Sequence, residues 1–172
     1  MMKRTLTTIS LCLFAIAMIA QSTSDVLNTA RKANDYFMAK YSDPTRPTFV
    51  NKVRTSNLWT RAVYYEGLMA LNAVDKQQRY IDYAMDWANF HQWSPRNGVE
   101  GTNADDQCCG QTYIDLLPYA GKSGSELLEK VIKNLDHQIA TGRYDYWTWI
   151  DAIQMGMPLY AMVYKVTGDR KY

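Results

Sequence analysis

Two carboxylates and two thiols stand side by side in "NADDQCCGQTYIDLL", residues 103 to 117. Such a group suits metal ligation, thiol redox, acid/base transfer, or the plain capping of a helix. A metal site asks for three or four ligands at CxxC-like or HxxxH-like spacing, which His91 and His137 do not supply. Adjacent Cys108 and Cys109 are poorly placed to pair with each other, because a disulfide needs a wider Cα separation. The thiols therefore read as small apolar residues packed in a helix, and no metal is expected. The carboxylates remain.

Their pattern recurs. Asp105 is followed by Gly110 and Asp151 by Gly156, with both pairs 46 residues apart (151 − 105 and 156 − 110). Trp59 holds the same position one period earlier, and Val74, Ala120 and Val166 keep the same interval. A period of this size is one helical hairpin, which buries its apolar stripe only by stacking on its neighbours. Alternate helices then share a layer. Trp59, Asp105 and Asp151 open three helices of one layer, and their side chains are expected to converge at one end of the stack.

Helix capping is the ordinary role for Asp105, Asp106 and Asp151, worth ~1 kcal/mol at each site. The surroundings of Asp151, "YDYWTWIDAIQMGMP", argue for more. A carboxyl held against Trp147 and Trp149 would lose hydration, which raises its pKa towards the range useful for proton transfer. Asp105 is in register with Asp151, and Asp106 competes for its role. Trp149 lies at a loop-to-helix junction, where sites open more often than cores do. Sugar stacking and plain packing both fit Trp147 and Trp149, and Met155 follows one turn after Asp151. In "SNLWTRAVYYEGLMAL", Trp59, Tyr64, Tyr65 and Glu66 lie on the first helix of the same layer, some reaching the mouth and others filling the core.

The elements that must position these residues are helices. Apolar spacing predicts them over 26–40, 59–74, 78–91, 106–117, 125–140 and 150–167, separated by segments rich in Pro, Gly, Asn and Ser. No stretch shows sustained strand alternation, so the class is all-α. Residues 1–20, a basic tip followed by "ISLCLFAIAMIA", have the form of a secretory signal peptide and are too short to span a bilayer. Export to the periplasm or beyond is expected, with no membrane contact after cleavage. Without Lys3 and Arg4 the chain has 17 basic and 17 acidic residues and no basic block, which argues against nucleic acid. Five Trp and thirteen Tyr suit stacking on sugar rings as well as core packing.

The segments "SNLWTRAVYYEGLMAL", "RNGVEGTNADDQCCGQTYIDL" and "YWTWIDAIQMGMPLYAMVYKVTGDRKY" resemble glycoside hydrolase family 105, the unsaturated rhamnogalacturonyl hydrolases. The resemblance covers the N-terminal half of that domain. It implies a six-hairpin (α/α) toroid acting on lyase-generated oligosaccharides that end in a 4,5-unsaturated uronate. An aspartic acid protonates carbon 4, water adds at carbon 5, and the resulting hemiketal rearranges to release the sugar. By the same resemblance Asp151 matches the proton donor, and Asp105 the second aspartate, with Asp106 as competitor. Trp149 matches an aromatic wall, with Trp147, Met155, Trp59 and Tyr65 as further substrate-binding candidates. No cofactor is implied.

Residues 21–172 are thus read as the N-terminal portion of one toroid, apparently truncated. Such an open half leaves an apolar flank exposed. Arg61, Arg96 and Arg143 are expected to be solvated charges. The alternatives are an unsaturated glucuronyl hydrolase of the related family 88, and a non-catalytic sugar-binding fragment.

Overall fold

The computed structural model describes residues 23–172, so the signal peptide read over residues 1–20 lies outside the described residues. The described residues form two units, 23–42 and 43–172. In the first, helix α1 spans 23–40. Tyr41 N–H closes its last turn on the Phe37 carbonyl at 2.9 Å, and the two rings lie 4.7 Å apart.

The second unit begins with a small antiparallel hairpin, β1 (Thr48–Val50) and β2 (Lys52–Arg54), turning at Asn51 with φ +62°. The sequence predicts loop here, since three-residue strands are too short to show an alternation. The helices follow: α2 (Trp59–Val74), α3 (Gln78–Phe90), α4 (Ala104–Gln107), α5 (Cys109–Leu116), α6 (Gly124–Leu127), α7 (Glu129–Ala140) and α8 (Asp151–Thr167). Two helices expected to be continuous are broken. The first divides at Cys108 and the second at Leu128, where ψ opens to 3°.

Helix α5 packs against α2 on one side and α8 on the other, and α4 also meets α8. These are the helices that the 46-residue period assigns to one layer. Helices α3 and α7 back them. Tyr65 of α2 stacks on Trp87 of α3 at 4.0 Å and 15°, and Tyr113 of α5 tilts onto the same indole at 5.1 Å. All three rings are fully buried. Their polar ends are satisfied at backbone carbonyls, Trp87 Nε1 on Ser56 and the Tyr113 hydroxyl on Ser94.

The recurring glycines let this layer close. A Cβ on Gly110 would lie 2.9 Å from Leu159 Cδ1 of α8, and one on Gly156 would overlap the Trp147 indole. Pro158 removes the N–H that would bond the Gln154 carbonyl one turn back. Gln111 Nε2 of α5 takes that place, donating to the Gln154 and Met155 carbonyls at 3.0 Å each. Helix α8 ends at Gly168, φ +71°, whose N–H caps the Tyr164 carbonyl at 2.7 Å. Tyr172 and Lys171 then return to Asp136 of α7 at 2.6 and 2.9 Å.

Ile153, Met157 and Tyr164 stand exposed along α8. No helix among the described residues is long and apolar enough to cross a membrane.

Candidate active site

The loop of residues 91–103 delivers the chain into α4. Asn103 caps that helix, its side chain accepting the Asp105 N–H at 3.0 Å. The capping role open to the aspartates thus falls to Asn103, which frees Asp105 to point elsewhere. At α8 the residue before Asp151 is Ile150, and no side-chain cap forms there. Asp105 and Asp151 are first-turn residues of two packed helices in one layer, where helix N-termini favour negative charge.

The two carboxylates feel each other. Asp105 is held above the ordinary aspartate range, first by partial burial and then by the negative charges of Asp106 and Asp151, against a smaller lowering by Arg96. Asp151 itself is exposed. Its exposure departs from the burial against indoles expected for it. Trp147 lies instead over Gly156 and meets Tyr160 edge-on at 6.1 Å, while Trp149 is 78% exposed. Trp149 and Trp59, which is partly exposed at the start of α2, remain open to a ligand.

Asp106 is taken by another task. It is buried, with Oδ1 paired to Arg96 at 2.8 Å and Oδ2 accepting from Asn97 at 2.5 Å. It clamps the loop that leads into α4, so of the two adjacent aspartates only Asp105 is available. Tyr65 and Met155, candidates for substrate contact, are at 0% and 2% exposure and belong to the core. Arg61 also departs from expectation. It is buried, donating to the Pro44 and Arg46 carbonyls at 3.5 Å each, because the chain folds back over the first turn of α2. Arg96 and Arg143 are exposed, Arg143 in a two-pronged pair with Asp145 at 2.9 and 3.1 Å.

Glu66, named from the sequence only as one of several first-helix residues that could reach the mouth, is placed there with specific partners. Glu66 of α2 accepts the Cys108 thiol at 2.9 Å and Gln154 Nε2 at 2.7 Å. Cys108 stands at the junction of α4 and α5, directly after the helix of Asp105, and Gln154 lies on α8 with Asp151. Both cysteines are buried and packed as the sequence suggests, with burial pushing the Cys109 thiol up to about 12.

The glycosyl hydrolase family 88 model matches residues 29–172. An unsaturated 3S-rhamnoglycuronyl hydrolase of Formosa agariphila is 24% identical, over 66% of this chain and 33% of that protein. Among solved structures, a glycosyl hydrolase family 88 protein from Bacteroides vulgatus superposes with a TM-score of 0.73 at 26% identity, over 87% of this chain and 43% of that one. A protein named as a polysaccharide lyase superposes at 0.74 with 23% identity, over 88% and 43%, a likeness of fold alone. The chain therefore spans a third of the curated relative and under half of each solved structure. The hairpin layers of residues 43–172 are part of an (α/α) toroid. With the family model matched over most of its length, the chain belongs to glycosyl hydrolase family 88.

Proposed function

We propose that the protein carrying this chain is an unsaturated glycuronyl hydrolase. It removes a terminal 4,5-unsaturated uronate from lyase-generated oligosaccharides of the rhamnogalacturonan type. The observation that carries this reading is the Asp105–Asp151 pair: two equivalent carboxylates of successive repeats, each in the first turn of one of two packed helices. The name of the Formosa relative, an unsaturated 3S-rhamnoglycuronyl hydrolase, supports the coarser class of unsaturated glycuronyl substrates.

The chemistry is addition of water across an enol ether. Asp151 gives a proton to carbon 4 while the ring oxygen stabilises the cation at carbon 5. Water then adds at carbon 5, its proton returning to the Asp151 carboxylate, and the hemiketal opens to release the next sugar. This is general acid/base catalysis at a double bond, so the two-carboxylate displacement scheme of ordinary glycosidases does not apply. Asp105, the second aspartate of the site, retains its proton to higher pH than an ordinary aspartate. Trp149, exposed beside Asp151, offers a face for the sugar ring. The reading includes export, directed by residues 1–20.

Asp151→Asn in the complete protein tests it. Turnover of unsaturated rhamnogalacturonan fragments is expected to fall by ~10²-fold or more with substrate affinity kept, since the interaction lost belongs to the transition state. Unchanged turnover would remove Asp151 from the reaction. Faster cleavage of unsaturated glycosaminoglycan fragments would reassign the substrate to the glucuronyl type.

A further inference from the structure

Glu66 takes no part in the reaction just described, yet it holds both helices that carry the aspartates. Its Oε1 accepts from the Cys108 thiol and its Oε2 from the Gln154 amide. Cys108 lies three residues after Asp105, and Gln154 three residues after Asp151. Each partner is thus one helical turn from its aspartate and on the same face. The two partners are also equivalent in the repeat (154 − 108 = 46). A single carboxylate from the first hairpin therefore grips the same position of the second and the third.

The chemistry of the partners suits a permanent contact. The Cys108 thiol is buried and pushed far above the ordinary thiol range, by desolvation first and by Glu66 next, so it stays a donor. An amide N–H is a donor at any pH. Both carboxylate oxygens are then occupied by hydrogen bonds, and Glu66 is partly buried between three helices. Elsewhere α5 and α8 are joined by Gln111 on the backbone carbonyls and by Leu159 packed over Gly110. Those contacts join α5 and α8, whereas Glu66 ties the residues one turn after each aspartate to a third helix.

We propose that Glu66 is the positioning residue of the aspartate pair, a two-oxygen brace from α2 that fixes the spacing of Asp105 and Asp151. The proposal rests on the reading that this pair performs the hydration. It adds that the pair's geometry is set by the first hairpin, whose own equivalent of the aspartates is Trp59.

The test compares Glu66→Leu and Glu66→Gln in the complete protein. It records kcat and KM on unsaturated oligosaccharide, together with the titration of the Asp105 carboxyl by carbon-detected NMR. The charged groups that act on Asp105 are Asp106 on its own helix, Asp151 on α8 and Arg96 on the preceding loop. In Glu66→Leu the brace is gone and Asp151 is no longer held near. The Asp105 midpoint is expected to move down towards the ordinary aspartate value, and kcat to fall on the order of 10²-fold with little change in KM, as for a small displacement of a reacting group. Glu66→Gln is expected to recover both. Its amide oxygen accepts from Cys108 and its NH2 donates to a turned Gln154.

An unmoved Asp105 midpoint in Glu66→Leu would overturn the proposal, as would a Glu66→Gln variant as impaired as Glu66→Leu. If Glu66→Leu does not fold, Gln154→Leu removes one arm of the brace at an exposed side chain, and an unmoved midpoint there overturns it equally. The titration stands apart from turnover. A wild-type protein without activity, or an active Asp151→Asn variant, would sink the hydrolase reading and leave the midpoint to decide the brace.

Discussion

At the residue scale, the site turns on what distinguishes one aspartate from another. Asp105 and Asp106 are chemically identical neighbours, and the 46-residue register alone favours Asp105. The structure separates them by environment: Asp106 is buried in a clamp with Arg96 and Asn97, while Asp105 is only partly buried and feels the charge of Asp151. Because the Asp151 charge is one cause of the raised Asp105 value, Asp151→Asn is expected to bring the Asp105 midpoint down, part of the way to the ordinary aspartate value. An NMR titration reads this directly, and an unmoved midpoint would mean that the two carboxylates do not interact. The register of the pair was legible in the sequence because repeats repeat their geometry. The role of Trp147 was not, because its partner is the absent side chain of Gly156. Glu66 was legible only as a first-helix residue near the mouth; its partners were not, since they are 42 and 88 residues away.

At the scale of elements, the layer α2, α4–α5 and α8 was legible from period and apolar spacing. The breaks at Cys108 and Leu128 were not, since helical residues continue through both. Nor was the hairpin at 48–54, too short to carry a pattern. What aims α4 is the loop before it. Arg96 N–H donates to the Asp106 carbonyl at 3.0 Å, and the Asn134 amide of α7 gathers the Gly98 and Val99 carbonyls at 3.0 Å each. The Asp106 carboxylate completes this hold. Asp106→Ala is expected to destabilise the protein by about 1–3 kcal/mol, the range for a broken hydrogen-bonded charge pair whose remaining partner can reach water. Arg96 can do so, with a third of its side chain exposed. Chemical denaturation of Asp106→Ala measures the loss. A stability equal to wild type would show that the loop is held without it.

At the scale of the whole molecule, one titration couples the second unit to pH. His91, at the end of α3, meets the Ser56 hydroxyl at 2.7 Å, and Ser56 in turn donates to the Thr45 carbonyl at 3.2 Å. Burial lowers the His91 pKa from 6.5 to about 4. Between these values the unfolded chain binds a proton that the folded one does not. The contribution is therefore fully present above 6.5 and is lost as pH falls through 4. Melting temperature is expected to fall with acidification across this window, and less steeply in His91→Gln, which keeps a donor for Ser56. Equal slopes in the two proteins would assign the acid sensitivity elsewhere.

The same scale holds the central claim, that the protein adds water to an unsaturated uronate. The direct measurement is the reaction of unsaturated rhamnogalacturonan fragments in deuterium oxide, with the product followed by NMR. The expected result is loss of the double bond, a released shortened oligosaccharide, and deuterium at carbon 4 of the former uronate. A product that retains the double bond, or one released with no deuterium at carbon 4, would contradict the account.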